Sequence, residues 1–427
     1  MNAKVKLTVL NFLEFAVWGA YLTSMGTYLA KVGMAGQIGW FYSVQGFVSL
    51  CMPALMGIVA DRWMEAQRLL SLSHLLAGIF MLAACAYGYH MGDAVQFAPL
   101  FTLYTLSVAF YMPTIALTNS VAYSALDQAG LDTVKSFPPI RVFGTVGFII
   151  SMWIVDLGGV QSTSLQFGCS GLLSILMAAY AITMPHCPIC KGERKSLADA
   201  LGLKAFALFR NYRMALFFVF SMLLGVCLQI TNGFANPFIT SFGNIAEFKD
   251  TFGVQHANIL ISLSQVSETL CILLIPFFLK RFGIKRVMLL AMLAWVLRYL
   301  FFAVGDPGSG VVWFVLSMIV YGVAFDFFNI SGSLFVNNET SIDIRNSAQG
   351  LFMMMTNGFG ATVGTLSAQQ VVNHYVFDLG ADAAPTLVWQ GWNTCWYIFA
   401  AYALVVAVAF ALMFRYKHKP EAEKAKA

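Results

Sequence analysis

Apolar residues run along this chain in stretches of roughly twenty, separated by short clusters of charge, proline and glycine. A helix of about that length crosses the hydrocarbon of a bilayer. Such runs lie at about 7–29, 37–60, 69–91, 96–119, 138–158 and 163–184, then at about 214–241, 256–279, 286–304, 311–335, 346–372 and 391–414. The pattern predicts about twelve membrane-spanning helices. A membrane barrel would instead show segments of about ten residues alternating in polarity, and the chain has none of these. The spans divide six and six, giving an N-terminal bundle over 1–184, a polar linker over 185–213, and a C-terminal bundle with a short tail over 214–427.

Composition removes the soluble alternatives. Of 427 residues, 59% are hydrophobic and only 11% are charged, whereas soluble domains carry about 25% charged residues. Such a chain cannot cover a water-facing surface, which excludes cytosolic and secreted enzymes. The net charge of +5 is not gathered on one soluble face, so nucleic acid is not an expected partner. Its cations follow the membrane. Lys4, Lys6, Arg62, Arg68, Lys135, the basic central segment, Lys280–Arg286 and the tail share one side, while the opposite loops hold little more than Lys31 and Lys249. Excess Lys and Arg mark the cytoplasmic side, so both termini and the linker are expected there, in a multi-pass protein of the inner membrane. The first apolar stretch is too long for a signal-peptide core and is expected to remain as a helix.

Within the linker, Ser196–Arg210 reads as a short amphipathic helix suited to the inner membrane surface. His186, Cys187 and Cys190 form the one compact group of metal-ligand types. Structural zinc needs about four ligands, so reduced thiols are expected, with no metal and no cofactor.

Carboxylates inside the spans are the informative chemistry. Glu14, Glu268 and Asp326 each carry a cost of a few to more than ten kcal/mol in hydrocarbon, and persist where they bind an ion, a proton or a polar solute. Neighbouring polar residues share their depth. Gln229 and Asn232 lie three apart in the seventh span, Gln265 and Glu268 three apart in the eighth, and Tyr321, Phe325, Asp326 and Asn329 cluster in the tenth. Helix glue needs fewer amides than this. Amides offer donors and acceptors to a heterocycle edge, and Tyr321 and Phe325, beside an acid, suit a stackable ring. In the fifth span Arg141, Thr145 and Phe148 share one face after Pro138–Pro139. Arg298 reads as an interface residue or a counter-ion, and Tyr111 and Asn119 flank Pro113 in the fourth span.

Gly57-Ile-Val-Ala-Asp-Arg62 follows the second span, and Lys280-Arg-Phe-Gly-Ile-Lys-Arg286 holds the equivalent place in the second half. Two six-helix halves, each with such a turn, resemble the major facilitator superfamily: an all-α membrane fold whose halves bind substrate between them near the midplane. The resemblance implies a gating role for Asp61 and Arg62. A narrower likeness lies in Phe137-Pro-Pro-Ile-Arg-Val-Phe-Gly-Thr-Val-Gly-Phe148, Leu228-Gln-Ile-Thr-Asn232, Ser264-Gln-Val-Ser-Glu-Thr269, Tyr321–Asn329 and Ser347–Gly358. These stretches resemble the nucleoside:H+ symporter family, over nearly the whole chain.

That resemblance implies nucleosides and protons as partners, with no enzymatic step. Positions matching Arg141, Thr145, Phe148, Gln229, Asn232, Gln265, Glu268, Tyr321 and Phe325 would face the nucleoside. Burial disfavours a charged carboxylate, which makes Glu268 or Asp326 the expected proton carrier, with Glu14 as a further candidate. Glu14 departs from the family's pattern, which has Gln in the first span, and adds a titratable group. The expected mechanism is alternating access by a monomer in the lipid bilayer. Proton-coupled sugar uptake fits the same acids, amides and aromatic platform, and a membrane sensor that binds a solute without moving it remains a third reading.

Overall fold

The structure is a computed structural model, and it describes residues 3–187, 203–380 and 382–416. Every regular element among them is helical, as hydrocarbon requires where no water can satisfy a free backbone group. The helices assemble into twelve rods. The first six are α1 (Ala3–Gly19) continued by α2 (Met25–Lys31), α3 (Ile38–Arg62), α4 (Ala66–Met91), α5 (Phe97–Tyr111) continued by α6 (Thr114–Gln128), α7 (Thr133–Leu157) and α8 (Leu165–Ala181). After the linker come α9 (Tyr212–Ser241), the short turn α10 (Phe252–Gln255), and α11 (Ala257–Val304), which contains two rods. The rest are α12 (Val311–Glu339), then α13 (Ile342–Met353) joined through a π-helical stretch Met354–Gly360 to α14 (Ala361–Tyr375), and finally α15 (Pro385–Met413).

The division inside α11 falls at Gly283, whose φ of 75° and ψ of 167° are non-helical. Only glycine takes such angles readily, and it sits in the charged Lys280–Arg286 turn. Two other rods are broken where the apolar pattern predicts continuity. Residues 20–24 separate α1 from α2, and the carbonyl of Leu22 freed there accepts from the Tyr42 hydroxyl at 2.5 Å. Pro113 interrupts the fourth rod because it has no N–H to give. The apolar pattern is blind to such breaks, since the residues at them are as hydrophobic as their neighbours.

The described residues fall into two compact units, one of Met1–Leu201 with Asn232–Pro237 and the other of Gly202–Thr231 with Phe238–Ala427. The first has a core that includes Leu7, Leu10, Leu70, Val121 and Met177, all fully buried. The second is packed with aromatics, among them Phe238, Phe302, Phe314 and Trp396.

The linker differs from the amphipathic α-helix expected over Ser196–Arg210. Leu203–Arg210 is a 3-10 turn, and 196–202 lie outside the described residues. Phe206 and Phe209, three apart, stack at 6.0 Å, and Phe209 packs against Phe218 at 5.4 Å. Residues three apart eclipse in a 3-10 turn, which brings these rings together where an α-helix would fan them apart. His186 meets Glu65 at 3.1 Å, burial pushes the Cys187 thiol up, and Cys190 lies outside the described residues.

Candidate functional site

In the second unit the site grows from the seam between α11 and α12. Gly322 makes that seam close, since a Cβ there would stand 2.6 Å from the Ser267 carbonyl oxygen, and the Ser267 hydroxyl donates to the carbonyl of Ile319. The approach brings Glu268 of α11 into electrostatic reach of Tyr321 and Asp326 of α12. Asp326 is 6% exposed, and its Oδ2 is buried without a hydrogen-bond partner, as is Oε1 of Gln265. Unsatisfied buried acceptors cost about 1–3 kcal/mol each, so these atoms suit a proton or the donors of a polar solute.

Tyr321 is held on several sides. Phe325 lies parallel to it at 5.7 Å and 4°, Trp295 meets it edge-on at 5.9 Å, and the Arg298 guanidinium carbon sits 4.6 Å from its ring centre. Arg298, expected as an interface residue or a counter-ion, is 2% exposed. It donates to the Ser317 carbonyl at 2.7 Å and to the Ser264 hydroxyl at 3.3 Å. Backbone and ring contacts replace the headgroups an interfacial Arg would reach.

A small cleft opens in the same unit beside Phe325, between Leu228 of α9, Trp295 of α11, Asn329 of α12, and Thr356 and Asn357 of the π-helical stretch. Glycine again sets the approach, since a Cβ on Gly225 would stand 2.2 Å from the Thr356 carbonyl oxygen. Among the residues expected to face a nucleoside, Phe325 lines this cleft. Gln229 is buried on α9, and Gln265 and Glu268 are half-buried. Trp295, Thr356 and Asn357 were not singled out from the sequence. A Thr–Asn pair inside an apolar run was the available signal.

In the first unit α7 lies against α1 through glycines. A Cβ on Gly147 would meet the Phe12 carbonyl oxygen at 2.1 Å, and one on Gly19 would meet that of Phe148 at 2.4 Å. Arg141 is stacked over the Phe15 ring at 3.8 Å. Phe148 meets Trp18 edge-on at 6.1 Å, and Trp18 donates to Gln45 at 3.3 Å. Thr145 is half-buried one turn after Arg141, and Asn232 is half-buried in the part of α9 that groups with this unit. Asp61 and Arg62 end α3, and their side chains lie outside what is described.

Glu14 is fully buried in this unit. Oε2 contacts His74 Nε2 at 2.9 Å and accepts from Thr118 at 2.6 Å, while Oε1 accepts from Thr114 at 2.6 Å. The Tyr111 hydroxyl donates to the Glu14 carbonyl at 2.8 Å. Three rods thus meet at one acid. His74 was missed in the sequence, where it stands alone in an apolar run. Thr114 and Thr118, four apart and on one face, were the signal that a polar group lay opposite.

The family described as Nucleoside H+ symporter matches residues 1–419. The chain is 48% identical to a xanthosine permease of Escherichia coli strain K12, over 100% of this chain and 99% of that protein. It is 46% identical to the nucleoside permease NupG of the same organism, over 98% and 97%. A crystal structure of NupG superposes with a TM-score of 0.87 at 46% identity, covering 98% of this chain and 100% of that one. More distant transporters, such as a bacterial Spinster homologue at 14% identity and a TM-score of 0.67, share the fold.

Proposed function

The chain belongs to the nucleoside H+ symporter family, and from that premise we propose that it carries nucleosides inward across the inner membrane, each coupled to proton entry, by alternating access. It is an integral membrane transporter and catalyses no chemical change in its solute. The observation that carries the assignment of the site is the cluster on α11 and α12: two carboxylates within electrostatic reach of one another, beside parallel Tyr321 and Phe325 rings.

In this reading Phe325 offers its face to the nucleoside base, and Tyr321, braced by Trp295 and Arg298, backs that face. Stacking of a base on an aromatic side chain contributes about 1–3 kcal/mol. Gln229, Asn232, Gln265 and Glu268 take the ribose hydroxyls and base edges. A site built around hydroxyls rejects solutes lacking them, because the partners would be left buried and unpaired. Arg141, Thr145 and Phe148 on α7 are further nucleoside-binding residues in this reading. Asp326 and Glu268 share the coupling proton. Two like charges in a poorly solvated setting repel, and taking up one proton removes that repulsion. Glu14 is a further proton carrier, Asp61 and Arg62 act in gating, and the basic loops and both termini face the cytoplasm. The functional unit is a monomer.

The reading is supported by Oδ2 of Asp326 and Oε1 of Gln265, buried and without a hydrogen-bond partner among the described residues. The test is competition. Labelled uridine uptake into proteoliposomes is blocked by excess adenosine and untouched by excess ribose. Block by ribose, with no effect of adenosine, would move the chain to sugar transport.

A further inference from the structure

The first unit carries a titratable pair that substrate binding leaves unused. Glu14 and His74 are both fully buried, on α1 and α4, and counting hydrogens fixes what they hold. The Ser174 hydroxyl has one hydrogen. It is donated to the His74 carbonyl at 2.8 Å, so the 3.1 Å contact from Ser174 Oγ to His74 Nδ1 needs the proton on the ring nitrogen. A second proton must lie between Nε2 and Oε2, 2.9 Å apart, since otherwise two lone pairs would face each other. With the single Thr114 hydrogen given to Glu14 Oε1 rather than to the Tyr111 carbonyl, which is also 2.6 Å away, the pair holds both protons and has no net charge, whether written as imidazolium–carboxylate or as imidazole–carboxylic acid.

Losing one proton would leave a net negative charge in a place without water, at a cost of several kcal/mol. The surrounding helices supply mainly hydroxyls: Thr114 and Thr118 from α6, Ser174 from α8. The other titratable or charged neighbours are Tyr111 of α5, whose hydroxyl donates to the Glu14 backbone, and Arg141 of α7, stacked over Phe15 beside Glu14. The packing keeps the pair loaded while it is sealed.

We propose that the Glu14–His74 pair is a second proton-carrying site of this symporter, filled from water on the outer side and emptied to water on the inner side when the helices around it part. Each cycle breaks and re-forms one N–H or O–H bond, and the proton passes to water. The inference rests on the proton-coupled reading above and assigns His74 a role in it.

The experiment reads the proton-to-nucleoside ratio in proteoliposomes, from the gradient that just balances a fixed uridine ratio. Glu14→Gln removes one proton per cycle, so at a gradient of one pH unit the accumulation it reaches falls about tenfold. Uridine exchange at equal pH persists. His74→Gln, which leaves the acid in place, takes the same assay and gives the same fall. An unchanged ratio in either folded variant overturns the proposal. Should neither fold, the wild-type protein decides through 15N-histidine spectra. Of its six histidines, one must keep its ring protons from about pH 5 to 8, where free histidines titrate; six rings titrating alike overturns the proposal. Failure of the family reading is seen separately, as a wild-type protein that exchanges no nucleoside at any pH.

Discussion

At the scale of single residues, Glu268 and Asp326, the proposed proton carriers, differ in burial. Glu268 is half-buried and Asp326 nearly enclosed, with one oxygen unpartnered. A proton reaching the pair from solution meets Glu268 first. Glu268→Gln is therefore expected to lower gradient-driven accumulation of uridine in proteoliposomes by about tenfold at a gradient of one pH unit, and full concentrative uptake by that variant would remove Glu268 from the coupling scheme. Phe325 borders the cleft and stacks on Tyr321. Phe325→Ala should weaken binding of every nucleoside by roughly 5–150-fold, the equivalent of about 1–3 kcal/mol. Calorimetric titration of purine and pyrimidine nucleosides checks this, and a loss confined to one base would argue against general stacking. These residues were legible in the sequence because an acid or amide in an apolar run announces itself. The partners of His74 and Arg298 were not legible, because what each touches lies on another helix and depends on tertiary packing.

At the scale of elements, glycines set how closely helices approach. Gly283 holds a left-handed φ of 75° at the turn that divides α11. Gly283→Ala takes a backbone penalty of about 1–2 kcal/mol, read as a lowered melting temperature of the detergent-purified protein. No loss of stability would mean that the turn relaxes to other angles. Gly225 lies where a Cβ would meet the Thr356 carbonyl oxygen at 2.2 Å. Gly225→Ala should push the π-helical stretch away and destabilise by about 1–3 kcal/mol, loosening the wall of the cleft and lowering nucleoside affinity. A variant with native melting and native affinity would contradict that role. The apolar runs gave the rods and most ends to within a few residues, since membrane crossing length is dictated by the bilayer. The breaks at 20–24 and 113, and the π-helical stretch at Met354–Gly360, escaped because each involves few residues and changes the backbone without changing its polarity.

At the scale of the whole molecule, the charge bias, the six-and-six division and the family match over residues 1–419 describe one machine: a proton-driven nucleoside importer. Its acids are found in both compact units, Glu14 in the first and Glu268 with Asp326 in the second. The fold class was readable from hydrophobic run length alone. The solute was readable only through likeness to known motifs, because acids, amides and rings equally suit sugars. The most direct measurement is labelled uridine accumulation by the purified wild-type protein in proteoliposomes with the outside made acidic. The account predicts uptake above the external concentration that collapses when a protonophore is added. Uptake that only equilibrates, and is indifferent to the gradient, would contradict it.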